Sequence, residues 1–195
     1  EGRGLSVTQD MLEFRGHSME CRINAEDART FVPSPGKIGH YHAAGGMHVR
    51  VDSGMYSGYS VPPYYDSMLA KLIAHAPDRA AALTLLGQTL DATRIAGSTT
   101  NLAFLAALTR HPDVSSGKVD TGLIARDLAS LTARPPLLPE APALAALAAL
   151  DLLTPPTGAD PWDALTGWRG WSNAESFVTL DHRGEAHALK VEHLG

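Results

Sequence analysis

The feature that most constrains this chain is a switch of hydrophobic period at Pro77. Before it, Met19, Cys21, Ile23 and Ala25 alternate with Glu20, Arg22 and Asn24. A period of two puts apolar groups on one face of a strand and, here, a Glu, Arg, Asn row on the other. After it, Leu83, Leu86 and Leu90 recur at helical spacing. A β layer is therefore laid down first and covered by helices afterwards. Pro33-Ser34-Pro35-Gly36 breaks the chain after the first strand, because Pro fixes φ and Gly accepts a left-handed turn position. A second strand is predicted over residues 37–43. A third lies where His48, Arg50 and Asp52 alternate with Val49 and Val51, and a last one over 67–74. Asp78 is the candidate N-cap of a helix over most of 79–93, with Gly97 as its C-cap. Leu102, Leu105 and Leu108 mark a second helix, stopped by Pro112. Leu123, Ile124, Leu128 and Leu131 mark a third, capped by Asp120 or Thr121.

This first unit is expected to end at residue 133. Residues 134–142 hold Pro135, Pro136, Pro139 and Pro142 and read as a linker. Residues 143–153 are alanine and leucine with almost no polar face, and a helix apolar all round has to be buried among other elements. Trp162, Trp168 and Trp171 come next and read as core or interface anchors. A hairpin is predicted from residues 176–180 and 186–191 around Asp181-His182-Arg183-Gly184-Glu185. Two strands cannot enclose a helix, so the second unit reads as unfinished at Gly195. The fold class is thus α+β: an antiparallel β-rich layer with packed helices, then a long apolar helix with an incomplete β-barrel or hairpin.

With 21 acids against 16 bases and no basic run, the net charge of -5 argues against a nucleic-acid or anionic-membrane partner. Cys21 is the only cysteine, which excludes an internal disulfide and fits cytoplasm, or a mitochondrial matrix in a eukaryote. The apolar run over 141–153 falls far short of the ~20 residues of a spanning helix. The chain opens on Glu1 without a start Met or signal peptide, and the expectation is a piece of a longer protein.

Three segments carry a specific likeness. They are Gly16-His17-Ser18-Met19-Glu20-Cys21-Arg22-Ile23-Asn24-Ala25-Glu26-Asp27, Pro33-Ser34-Pro35-Gly36-Lys37-Ile38, and Tyr59-Ser60-Val61-Pro62-Pro63-Tyr64-Tyr65-Asp66-Ser67-Met68. With a Gly97 to Asn101 turn of the form Gly-x-x-Thr-Asn, they resemble the C-terminal subdomain of biotin carboxylase. The resemblance implies a module that uses MgATP and bicarbonate to make carboxyphosphate and CO2. It then carboxylates the ureido nitrogen of biotin held on a separate carrier domain. An ATP-grasp half would precede this segment and bear the phosphate loop, the metal carboxylates and the bicarbonate base. Asp160-Pro161-Trp162 and Gly167-Trp168-Arg169 resemble the segment after this module in the α subunits of methylcrotonyl-CoA and propionyl-CoA carboxylases. That likeness implies a β-barrel around a central helix, a BT-like domain that joins the α subunit to the carboxyltransferase β subunit. Residues 143–195 would be its truncated start. The alternatives are pyruvate carboxylase, a free-standing biotin carboxylase, or a non-catalytic scaffold for subunit association.

The resemblance assigns Arg22 to the ureido oxygen of biotin, stabilising the enolate formed as the nitrogen loses its proton. A guanidinium suits a developing oxyanion because it is always charged and presents oriented donors. The plain alternative is a structural arginine paired with Glu20, Glu26 or Asp27. Glu20 and Asn24 share its face and would support it. Met47 and Arg50 fall where free-standing biotin carboxylases form a homodimer contact, Asp66 near that contact and the site rim, and Thr121 at the rim of the adenine pocket. His40, His42 and His48 have strand spacing that could approach a metal, but no fourth ligand is evident and no metal site is expected.

Overall fold

The computed structural model describes residues 2–154, 168–182 and 184–193. Two compact units divide the chain, Glu1–Ala133 and Arg134–Gly195.

In the first unit β1 (His17–Asn24) and β4 (Val49–Ser53) both pair antiparallel with β6 (Met68–Ala76), giving a three-stranded sheet of order β1-β6-β4. The predicted alternation of β1 is realised. Met19, Cys21 and Ile23 turn inward while Ser18, Glu20 and Arg22 face out. Apolar side chains make the inner face because α1 (Arg79–Ala92) lies against it, burying Leu83, Leu86 and Leu90 with Ile23, Leu72 and Ala74. Each of these leucines and Ile23 contributes roughly 1.5–3 kcal/mol on leaving water, and Ala74 less. Asp78 caps α1 by accepting from the Ala81 N–H at 2.9 Å.

The rest of the β layer is less unified than the sequence suggests. The strand predicted over 37–43 is interrupted at Ile38 and Gly39, leaving β2 (Gly36–Lys37) on β5 (Ser60–Val61) and β3 (His40–His42) on β7 (Arg94–Ala96). The sequence periodicity does not reveal β7. The Thr93 backbone is extended (ψ 137) and ends α1 three residues before Arg94–Ala96 is complete, so Gly97 caps no helix. Gly97 is required for another reason: it holds φ +98, and a Cβ there would run into the Lys37 carbonyl and the Gly39 amide.

α2 (Leu102–Thr109) is followed by a short α3 (Pro112–Ser116), which Pro112 opens as well as separating from α2. α4 (Leu123–Leu131) starts from Gly122 rather than from Asp120 or Thr121. The Asp120 carboxylate instead receives the Gly122 N–H at 2.7 Å, one residue ahead of the helix. That bond and Arg126 hold the Asp120 carboxyl below the usual carboxylate range.

The second unit corrects two expectations. Its helix α5 (Ala141–Ala149) is short, with nine residues, and it begins inside the segment read as a linker, since Pro142 fits a first turn. It ends at Leu150, with Asp151 left-handed at φ 56. Among the described residues there is also no barrel: β8 (Ala174–His182) and β9 (Glu185–His193) form a two-stranded antiparallel ribbon. The Asp160-Pro161-Trp162 motif and Gly167 lie outside the described residues. Trp168 and Trp171 are exposed rather than core. Among the described residues no helix is long and apolar enough to cross a membrane.

Candidate functional site

The outward face of the first sheet is charged, and register fixes which charges meet. Glu20 stands opposite Ile73, which stands opposite Arg50; in the next row Arg22 faces Lys71, which faces Asp52. Two cations directly opposite repel. Arg22 accordingly finds its anion along its own strand, donating from Nε to Glu20 Oε1 at 3.2 Å. Nη1 and Nη2 of Arg22 make no hydrogen bond among the described residues, and the side chain is 69% exposed. Arg50 is held otherwise. Its Nε and Nη2 grip Asp52 at 3.0 and 2.8 Å, which lowers the Asp52 carboxyl below its ordinary range and raises the guanidinium. One arginine of this face thus has an open fork and the other a closed one.

The two residues expected to support Arg22 differ. Glu20 touches the guanidinium. Asn24 does not: it is half-buried and gives its Nδ2 to Glu26 Oε2 at 3.3 Å. Its neighbour in space is Asn101, which the sequence flagged only as the end of a turn motif. Asn101 is 5% exposed; its Oδ1 accepts from the Asn24 N–H at 2.9 Å and its Nδ2 donates to the Arg22 carbonyl at 3.2 Å. A shift of register between Ile23 and Asn24 leaves β6 one residue longer at this point. Such bulges re-aim neighbouring side chains. The signal that could have exposed Asn101 is its amide in an otherwise apolar helix start, since a buried amide has to be paired.

The remaining candidates are scattered. Met47 is 83% exposed at the turn before β4. Asp66 closes a local turn, accepting from the Met68 N–H at 2.9 Å, and borders a cavity of about 390 Å³ with Met55, Tyr59, Tyr65 and Leu69. Thr121 is exposed in the turn before α4 and touches none of these groups through a hydrogen bond among the described residues. His40 and His42 point outward from β3, and His48 lies beside His75 with ring centroids 6.3 Å apart. Among the described residues no three His, Cys, Asp or Glu side chains converge as a metal site would need.

Residues 20–126, which hold Arg22, Asn24, Asp66 and Asn101, match the profile of the "Biotin carboxylase C-terminal domain". The chain belongs to that family. The biotin carboxylase of Pseudomonas aeruginosa is 46% identical over 127 residues, covering 65% of this chain and 28% of that protein. One of the pyruvate carboxylase subunits of Methanothermobacter thermautotrophicus is 42% identical, covering 63% of this chain and 25% of its own length. Among solved structures, the biotin carboxylase domain dimer of Hydrogenobacter thermophilus 2-oxoglutarate carboxylase, in complex with MgADP, ADP and bicarbonate, superposes with a TM-score of 0.66. It is 35% identical, over 69% of this chain and 30% of that one. The chain spans less than a third of the length of each of these proteins. The family match lies within the first unit, so the open arginine stands on a biotin carboxylase C-terminal domain strand.

Proposed function

We propose that the first unit forms one wall of the site at which a biotin-dependent carboxylase carboxylates carrier-bound biotin, and that Arg22 acts there on the ureido oxygen. The observation carrying this is the open fork. Arg22 is tethered through Nε alone, so two more N–H-bearing nitrogens are left to meet an incoming oxygen, whereas a structural arginine would be closed as Arg50 is. In the reaction, ATP and bicarbonate give ADP and carboxyphosphate, whose breakdown supplies CO2 and phosphate. The ureido N–H of biotin gives its proton to the phosphate released from carboxyphosphate, negative charge gathers on the ureido oxygen, and the nitrogen attacks CO2. Arg22 contributes where that charge develops, and Glu20 tethers the guanidinium through its Nε. MgATP and bicarbonate would sit chiefly on an ATP-grasp half of the same protein. Met47 and Arg50 would lie at a homodimer contact with Asp66 at its edge, and Thr121 at the adenine rim. The setting would be cytoplasm or mitochondrial matrix.

The test uses the full-length carboxylase. Arg22→Ala should slow biotin-dependent turnover by on the order of a hundredfold, about 3 kcal/mol, with MgATP binding intact. Arg22→Lys should recover part of it, as lysine keeps the charge and loses the fork. Bicarbonate-dependent ATP cleavage without biotin should suffer less, and an equal fall in both activities would reject the role.

For the acceptor, the Trp168-Arg169 segment supports an acyl-CoA carboxylase α subunit, whose second unit would be a BT-like domain docking a carboxyltransferase β subunit. The likeness to the Methanothermobacter pyruvate carboxylase protein supports a pyruvate-type enzyme equally. Carboxylation assays of the complete enzyme on methylcrotonyl-CoA, propionyl-CoA and pyruvate separate the two. A scaffold role predicts none of these activities.

A further inference from the structure

We propose that Asn101 is the positioning residue of this site: its side-chain amide completes the β1 ladder beneath Arg22 and thereby fixes where the guanidinium is presented. The inference rests on the Arg22 reading above. Among the described residues β1 has a partner strand on one side only, β6, and on its other side the backbone at Arg22 and Asn24 would face no strand. The Asn101 amide replaces that strand for one repeat. Its Nδ2 donates a hydrogen bond to the Arg22 carbonyl at 3.2 Å and its Oδ1 accepts one from the Asn24 N–H at 2.9 Å, while its own backbone N–H reaches the Asn24 carbonyl at 3.2 Å. The amide orientation is dictated, since a carbonyl only accepts and an N–H only donates.

The loop that carries Asn101 is itself anchored. Gly97 presses against Lys37 and Gly39 with no room for a Cβ. Ser98 Oγ donates to the Ser34 carbonyl at 2.7 Å, the Thr99 N–H to Ser34 Oγ at 3.3 Å, and the Ser34 N–H to the Ala25 carbonyl at 2.8 Å. The Pro33-Ser34-Pro35-Gly36 turn and the Gly97 to Asn101 turn therefore interlock around the end of β1. Glu26 joins them, accepting from Asn101 Nδ2 on Oε1 and from Asn24 Nδ2 on Oε2, both at 3.3 Å. The backbone of a catalytic arginine is thus held from a different element 79 residues away. A site group displaced by a fraction of an ångström loses rate without losing substrate binding.

In the full-length carboxylase, Asn101→Ala should lower the biotin-dependent kcat about tenfold, with the KM for MgATP unchanged and biotin-independent ATP cleavage within about twofold. In an Arg22→Ala background the same change should cost less than about twofold, because the residue it positions is gone. Losses that multiply in the double variant, or that strike both activities alike, overturn the proposal and leave Asn101 a fold staple. If Asn101→Ala fails to fold, the charge-conserving pair Asn101→Asp with Glu26→Gln decides. It keeps the acceptor for the Asn24 N–H and a paired contact at residue 26, and it replaces the donor to the Arg22 carbonyl with a carboxylate oxygen that repels it. A reduced biotin-dependent kcat in this variant supports the proposal, and a wild-type kcat overturns it. An Arg22→Ala enzyme with full biotin turnover would instead remove the reading beneath it, and the proposal with it.

Discussion

β1 and the β8-β9 ribbon start from the same rule and end differently. Both alternate in burial residue by residue. In β1 the inner side reaches complete burial at Ile23, because α1 and a paired β6 close over it. In the ribbon Val178, Leu180, Leu189 and Val191 of the inner side stop at half-burial, because among the described residues the nine-residue α5 alone lies over them. A cavity of about 260 Å³ remains between Leu180, His187, Leu137 and Ala145. Periodicity thus decides which face turns in, and the breadth of the covering layer decides whether that face is rigid. A preorganised arginine needs the first kind of support, which β1 has and which the ribbon lacks among the described residues.

The largest expected effect contrasts the two interiors directly. Leu72 has no exposed surface and sits at the centre of the first core, so Leu72→Ala should cost about 3–4 kcal/mol. Leu180→Ala borders an existing void and loses fewer contacts, so about 1 kcal/mol is expected. Urea unfolding read by amide exchange in each unit measures both. Equal costs would mean that the ribbon is as tightly enclosed as the sheet.

A middle-sized effect concerns Cys21, on the inner face of β1. Burial, with the Glu20 charge adding to it, pushes its thiol up to about 11. The thiolate fraction at pH 8 is then about a hundredfold below that of an ordinary thiol. Iodoacetamide should label Cys21 at least that much more slowly in the folded chain than in urea. Linkage has a definite sign: unfolding releases this proton once pH passes the ordinary thiol value, so stability should decline from there up to about pH 11. Rapid labelling of the folded chain at pH 8 would show that β1 opens as easily as the ribbon.

These contrasts also explain what the sequence disclosed. The two faces of β1 were legible because a strand buried on one side admits no slip of register. The outward position of Arg22 was legible from the same alternation, and its proposed role comes from the motif around it. β7 was not, since no Gly or Pro separates Leu90, the end of the helical stripe, from Arg94-Ile95-Ala96, and its partner lies more than fifty residues earlier at His40–His42. The start of α5 was hidden by Pro142, whose meaning changes from linker to first turn according to the residues after it. Asn101 illustrates the deepest limit. Its motif was visible, yet its role lies in two hydrogen bonds to β1, and no local pattern at residue 101 encodes the backbone of residues 22 and 24.

The smallest effect tests the outer side of the ribbon. Phe177 is 75% exposed there, opposite Lys190, next to the ion pair in which Lys190 Nζ reaches Glu175 Oε1 at 2.7 Å. If this face is bare in the chain, Phe177 has almost no burial to lose, and threonine keeps the strand preference of the site. Phe177→Thr should then change stability by less than about 0.5 kcal/mol, the usual range for an exposed position. Thermal unfolding of the 195-residue chain at several concentrations measures this. A loss above about 1 kcal/mol that grows with concentration would mean that a second copy covers the face, so that the ribbon gains by association the enclosure β1 has within its own unit.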